Sequence, residues 1–199
     1  MKNKKRYEGG WENSLIGGHT LGHYMSAVAQ GIVNPGVTAE EKEKLTERLN
    51  YIIDALNDCQ KKTEGVNGLE GYIFGATLPN SSFKKNVALQ FDNVEKGRAN
   101  IATEAWVPWY TMHKILAGLV DSYQIAGNKT AIEVANKLGT WIADRANNWS
   151  SSTQSTVLGI EYGGMNDALY QLYKVTDASN KEDFYKAAHH FDETSLFES

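Results

Sequence analysis

One amphipathic pattern occurs twice in this sequence, and it narrows the fold more than any other feature. Leu119, Tyr123 and Ile125 are matched in spacing by Leu169, Tyr173 and Val175. After a turn lengthened by two residues, Asn128-Lys129 corresponds to Asn180-Lys181 and Ala135 to Ala187. The unit is a helix, a turn and a second helix, about 50 residues long. In the first copy, Pro108-Trp109-Tyr110-Thr111-Met112-His113-Lys114 opens a helix with apolar residues at Ile115, Leu116, Leu119, Val120 and Tyr123, and Gly127-Asn128 ends it. Its partner carries Ile132, Ala135, Leu138 and Ile142. In the second copy, Gly163-Gly164 precedes Met165, Ala168, Leu169, Leu172 and Val175, and a last helix is expected from Lys181 to Glu193.

An earlier pair has the same shape. Leu21, Met25, Val28 and Ile32 form one stripe, which predicts a helix from Glu12 to Ile32 that stops at Asn34-Pro35-Gly36. Thr38 to Glu41 has capping-box spacing before Leu45, Leu49, Ile52, Ile53 and Leu56, with Cys59 expected to continue that stripe towards Lys62. The fold class is therefore all-α, with about three helical hairpins side by side, either a solenoid or part of a closed ring of helical pairs. Residues 62–101 show no sustained period and read as one long ordered loop insertion, with a short strand pair at most; Asn147 to Gly159 reads as a second, polar loop. The Tyr72, Ile73, Phe74, Phe83 and Phe91 side chains imply that the long loop packs against something.

Composition sets outer limits. Forty-one per cent hydrophobic residues predict a buried core, and a net charge of −4 without a basic block argues against nucleic acid as a partner. No run approaches ~20 apolar residues, so no membrane span is expected. The basic run Lys2 to Arg6 is not followed by an apolar segment and does not read as a signal peptide, and the compartment stays open. One cysteine, Cys59, rules out an internal disulfide and a cysteine-rich zinc site built from this chain alone.

His19 and His23 are four residues apart on one face, and His23 points away from the apolar stripe. That spacing can serve zinc, but Thr20 stands where the metalloprotease pattern needs Glu and no third ligand accompanies it. Small residues around the pair (Gly17, Gly18, Gly22) suit an inner helix bordering a central cavity, which favours the ring. His113 lies at the margin of its stripe and reads equally as a packing or a ligand-binding residue; Trp106, Trp109 and Tyr110 beside it tip the reading towards a sugar site, with rings for C–H faces and an imidazole for hydroxyls. Glu161 could cap the helix after Gly163-Gly164, or be a carboxylate aimed at the same cavity as His113. Trp11 and Glu12 hold the equivalent place before the first helix.

Taken together, Gly10-Trp11-Glu12, Gly22-His23-Tyr24, Trp109-Tyr110-Thr111-Met112-His113-Lys114 with Ala117-Gly118-Leu119, and Glu161-Tyr162-Gly163-Gly164-Met165-Asn166 occur in one order, with flanks that resemble the β-L-arabinofuranosidases of glycoside hydrolase family 127. The resemblance covers nearly the whole chain and corresponds to the N-terminal part of that family's catalytic domain. It implies part of an (α/α)6 barrel and a hydrolase that releases L-arabinofuranose from non-reducing ends with retention, acting on an arabinose-containing glycan. It also implies zinc in the full-length domain, a zinc-held Cys nucleophile and a Glu acid/base. Their Glu-Thr-Cys and Cys-Cys motifs do not occur here, so no catalytic or metal residue is assigned to this chain and the nucleophile is not transferred to Cys59. What carries over is His23 and His113 as contacts to substrate hydroxyls, with Glu161, Trp11 and Glu12 as further pocket residues. The expected properties are no hydrolysis by this chain alone and self-association through exposed helix flanks. Two other readings stay open: a non-catalytic sugar-binding or interaction module, and an (α/α)6 epimerase or lyase using the His pair for proton transfer.

Overall fold

The computed structural model describes residues 12, 14–76 and 80–196. In chain order the helices are α1 (His19–Val33), α2 (Ala39–Lys61), α3 (Ser81–Lys85), α4 (Leu89–Glu95), α5 (Pro108–Gln124), α6 (Lys129–Ala146), α7 (Ser151–Ile160), α8 (Met165–Val175) and α9 (Lys181–His189), followed by a 3-10 turn at Thr194–Leu196. The regular structure among the described residues is all helical. None of these helices is long and apolar enough to cross a membrane.

Three hairpins, α1–α2, α5–α6 and α8–α9, stand side by side in two layers. One layer packs α1 on α5 and α5 on α8; the other packs α2 on α6 and α6 on α9. This is a segment of a double-layered helical barrel, with α1, α5 and α8 as the inner layer. The inner helices approach to backbone contact. A Cβ added to Gly22 on α1 would sit 1.9 Å from the Lys114 carbonyl oxygen on α5, and one added to Gly118 would sit 2.7 Å from the Gly22 carbonyl oxygen. No side chain larger than hydrogen fits that crossing, so the small residues of α1 are spacing devices.

The caps follow the sequence closely where a short polar residue precedes the helix. Thr38 Oγ1 accepts from Glu41 N–H at 3.3 Å while the Glu41 carboxylate accepts from Thr38 N–H at 2.9 Å, a complete capping box. Asn128 and Ser150 cap α6 and α7 through side-chain oxygens.

Several expectations are corrected. Helix α1 begins at His19, not Glu12, because residues 14–18 form turns and the Glu12 carboxylate satisfies the first free amides of the helix there. Cys59 is exposed; the α2 stripe continues four residues beyond Leu56 at Gln60, whose Nε2 donates to the Gly71 and Val134 carbonyls at 2.8 and 3.1 Å. The 62–101 insertion contains α3 and α4 and, among its described residues, no strand. Most of the segment from Asn147 to Gly159, read as loop, belongs to helix α7 (Ser151–Ile160), and α9 stops at His189.

The insertion does pack, as its aromatic residues implied. Tyr72, Ile73, Phe83 and Phe91 are buried. Phe91 meets Trp109 edge-on, with ring centroids 4.6 Å apart, and Trp141 at 5.1 Å. Within α4, Gln90 is completely buried and every hydrogen-bonding atom of its amide is used: Nε2 donates to the Leu15 and Ala76 carbonyls at 2.9 and 2.6 Å, and Oε1 accepts from Trp106 N–H at 2.9 Å. One side chain thus ties together the approach to α1, the insertion and the approach to α5. Arg145 on α6 pairs with Asp92 and Glu95 and fastens the same layer to the second hairpin.

Candidate functional site

The N-terminal ends of α1, α5 and α8 meet at one end of the inner layer. The His19 ring on α1 stacks on Tyr110 of α5, with centroids 5.4 Å apart and 19° between planes, and meets His23 edge-on at 5.0 Å. Tyr110 in turn lies edge-on to His113 at 5.1 Å, and the Lys114 ammonium sits over its ring at 4.6 Å. From α8, Gly164 rests against the His113 imidazole: its φ is 86°, and a Cβ there would lie 2.3 Å from His113 Nε2. Both the dihedral and the close approach demand glycine at this position.

Two carboxylates supply the caps that the inner helices otherwise lack. Glu12 accepts from Gly18 N–H at 2.7 Å and from Thr20 N–H at 2.8 Å, which holds its pKa below the usual carboxylate value against the opposing effect of burial. Glu161 reaches a different hairpin. Its Oε2 accepts from the Tyr110 N–H of α5 at 2.9 Å, and its Oε1 is buried without a hydrogen-bond partner. Burial pushes the Glu161 carboxyl up to about 8, although the backbone amides of Tyr110 and Trp109 pull the other way. Between these two caps stands Val107, the residue before α5, at φ 41° and ψ 60°. A β-branched residue in the left-handed region is strained, and such strain persists only where surrounding structure imposes it. Its carbonyl oxygen accepts from both the N–H and the hydroxyl of Thr111, at 3.0 and 3.1 Å. Val107, Tyr110, Ile160, Glu161 and Tyr162 line a pocket of about 290 Å³.

The His113 and His19 imidazoles are held neutral. Burial pushes His113 down to about 3, with Lys114, His19 and His23 acting in the same direction and the Trp109 backbone opposing weakly. His19 is lowered by burial, then by His23 and Lys114. Neutral imidazoles donate through one nitrogen and accept through the other, which is the pattern hydroxyl groups require.

The structure therefore brings His23, His113, Glu161 and Glu12 to one mouth, but at different depths. His23 is exposed, Glu12 is half-buried, and His113 and Glu161 are only 6% and 5% exposed, so these two form the back of the wall. Trp11 lies outside the described residues. Trp109 is no sugar platform; at 1% exposure it is a core residue, held against Phe91, Trp149 and Phe191. The open aromatic surface is Tyr162, at 55% exposure; Tyr110 is half-buried, with His19 stacked on it and Lys114 over its ring. Sequence reading missed Lys114, Tyr162 and Val107 as members of this mouth; it placed His19 with His23 on the cavity side of the first helix but carried only His23 over as a substrate contact. Lys114 and Tyr162 were legible in principle, each standing one residue from a candidate.

Among the described residues, no group of three or more His, Cys, Asp or Glu side chains is placed to hold a metal ion. Cys59 is on α2 in the outer layer. The donors among the described residues therefore do not fit a zinc–thiolate centre. A comparison with curated proteins gave no match. The family model described as β-L-arabinofuranosidase, GH127 catalytic domain, matches residues 1–199.

Proposed function

We propose, for a chain that belongs to the β-L-arabinofuranosidase GH127 catalytic-domain family, that the mouth formed by α1, α5 and α8 is the part of a glycosidase pocket that holds the terminal L-arabinofuranose of a glycan. The chain is glycoside-hydrolase-like over its whole length, and the site is what this part of the domain contributes. The observation that carries the reading is the convergence of three inner-helix N-termini on one cluster of imidazoles, tyrosine rings and the Glu12 and Glu161 carboxyls. Tyr162 offers an open face and Tyr110 its part-exposed ring to sugar C–H groups, and His23 and His19 offer donors and acceptors to hydroxyls. His113 and Glu161 back these groups and present their small exposed edges, while Glu12 fixes the start of α1.

In the full family domain the retaining chemistry is supplied by a zinc-held thiolate and a glutamic acid that this sequence lacks. The role read here is thus binding and orientation, the pre-organisation on which hydrolysis depends. The expected result is saturable binding of methyl β-L-arabinofuranoside by this chain, with Kd on the order of 1 mM, weakened by His23→Ala and by Tyr110→Ala. No turnover of an aryl L-arabinofuranoside is expected. Turnover abolished by His113→Ala would overturn the assignment of bond breaking to residues outside this chain, and indifference of sugar binding to both substitutions would overturn the pocket.

A further inference from the structure

We propose that Glu161 is a positioning residue: by capping α5 from the neighbouring hairpin it fixes the Tyr110 ring on which the sugar rests. The inference deepens the sugar-pocket reading and takes its ligand from it. Its geometry stands on three observations. Glu161 is 51 residues away in sequence from the amide it caps, so the contact forms only when the α7–α8 connection is docked against α5. The residue before that helix, Val107, is strained and makes no side-chain cap, so the Glu161 carboxyl stands in for the Ser, Thr, Asn or Asp that a self-contained helix would carry. And Tyr110 is the hub of the mouth, stacked on His19, edge-on to His113 and under Lys114.

The half-satisfied state of the carboxyl is informative. Oε2 takes the Tyr110 N–H, while Oε1 is enclosed with no partner in a pocket wall. Glu12, by contrast, uses both oxygens, on Gly18 and Thr20. The ionisable side chains on the adjoining elements are Tyr110, His113 and Lys114 on α5, Tyr162 before α8, and His19 and His23 on α1. The balance at Glu161 is set by burial against the amides of Tyr110 and Trp109. As pH rises through about 8 the carboxyl becomes a carboxylate, and an amide donates more strongly to a carboxylate than to a neutral acid, so the cap tightens and Tyr110 is held more firmly.

The test is a pH titration of the ¹⁵N-labelled chain, following the backbone amides of Tyr110 and Trp109 from pH 5.5 to 9.5. Both are expected to move in one step centred near pH 8 in the wild type. Glu161→Gln should abolish the step while leaving the Thr38 and Glu41 amides of the α2 cap unchanged. Affinity for methyl β-L-arabinofuranoside should rise across the same step in the wild type and be several-fold weaker and flat with pH in the variant. Should Glu161→Gln fail to fold, Glu161→Asp withdraws the carboxyl by one methylene and should displace the same two amides alone. Tyr110 and Trp109 amides that behave alike in wild type and variants would overturn the proposal. A sugar that fails to bind at any pH, with the amide step intact, would instead overturn the sugar-pocket reading and leave the cap standing.

Discussion

Two buried polar side chains hold the approaches to the inner helices, and they are finished differently. Gln90, in the insertion, is fully enclosed and uses both amide hydrogens and its oxygen, on Leu15, Ala76 and Trp106. Glu161, at the mouth, is equally enclosed but leaves Oε1 unpartnered, and His113 beside it leaves Nδ1 unpartnered. Burying a polar atom without a partner costs about 1–3 kcal/mol. The fold also bears that cost at Gln60 Oε1, Trp109 Nε1 and Asn147 Oδ1; what sets the mouth apart is that its two unpartnered atoms belong to ionisable side chains beside a pocket, where a ligand can complete them. The insertion is accordingly a brace, and the mouth is the place it braces.

The brace is the easier to break. Gln90→Leu keeps the volume but leaves the Leu15 and Ala76 carbonyls without their donor and takes an acceptor from Trp106 N–H. A loss of about 3–5 kcal/mol is expected, read as a lower urea midpoint at unchanged slope. Because the same amide fixes the approaches to α1 and α5, sugar binding should fall with it. A Gln90→Leu protein as stable as the wild type would show that the hub is incidental.

The mouth answers to a different substitution. Gly164→Ala places a methyl group 2.3 Å from His113 Nε2 at a backbone φ of 86°. Overpacking and the left-handed backbone together are expected to cost about 2–3 kcal/mol. In a His113→Ala background the steric part should vanish, leaving about 1 kcal/mol for the backbone alone. Additive effects of the two substitutions would mean that Gly164 and His113 do not meet as described.

How far these regions could be read in the sequence follows the same division. Helices with a 3.6-residue apolar stripe were legible, and so were the hairpin repeat and the caps at Thr38 and Asn128, because the signals are local. Helix α7 was not, since only Val157 of its ten residues is buried and its polar sequence has no stripe. Helix α4 escaped because its buried face includes Gln90 and Asn93, which periodicity counts as loop. At the mouth the residue types were legible but the connections were not. Glu161 was expected either to cap the helix it precedes or to face a cavity; it caps α5 instead, a long-range contact that no local spacing encodes. The strain at Val107 has no sequence signature at all, because nothing about Val announces a positive φ.

His113→Leu gives the smallest effect at neutral pH and the sharpest contrast with Gln90. The imidazole is buried, neutral and unsatisfied at Nδ1, so replacing it with an apolar side chain of similar size removes an unpaired group and leaves none behind. At pH 7.5 stability should change by no more than about 1 kcal/mol, where Gln90→Leu costs several times that. The pH dependence then carries the sign. The folded pKa of about 3 lies below the unfolded value of 6.5, so the stability belonging to a neutral His113 is complete above pH 6.5 and is lost as pH falls towards 3. Between pH 7.5 and 5 the wild type should lose about 2 kcal/mol from this residue that the leucine variant does not lose, and the two unfolding curves should draw apart in the variant's favour. His19 is also depressed, but it is common to both proteins and cancels in the difference. Sugar affinity should nevertheless drop in the variant at every pH. A His113→Leu protein that is several kcal/mol less stable at pH 7.5 would make His113 a second Gln90, a completed structural residue, and would move the pocket's polar wall elsewhere.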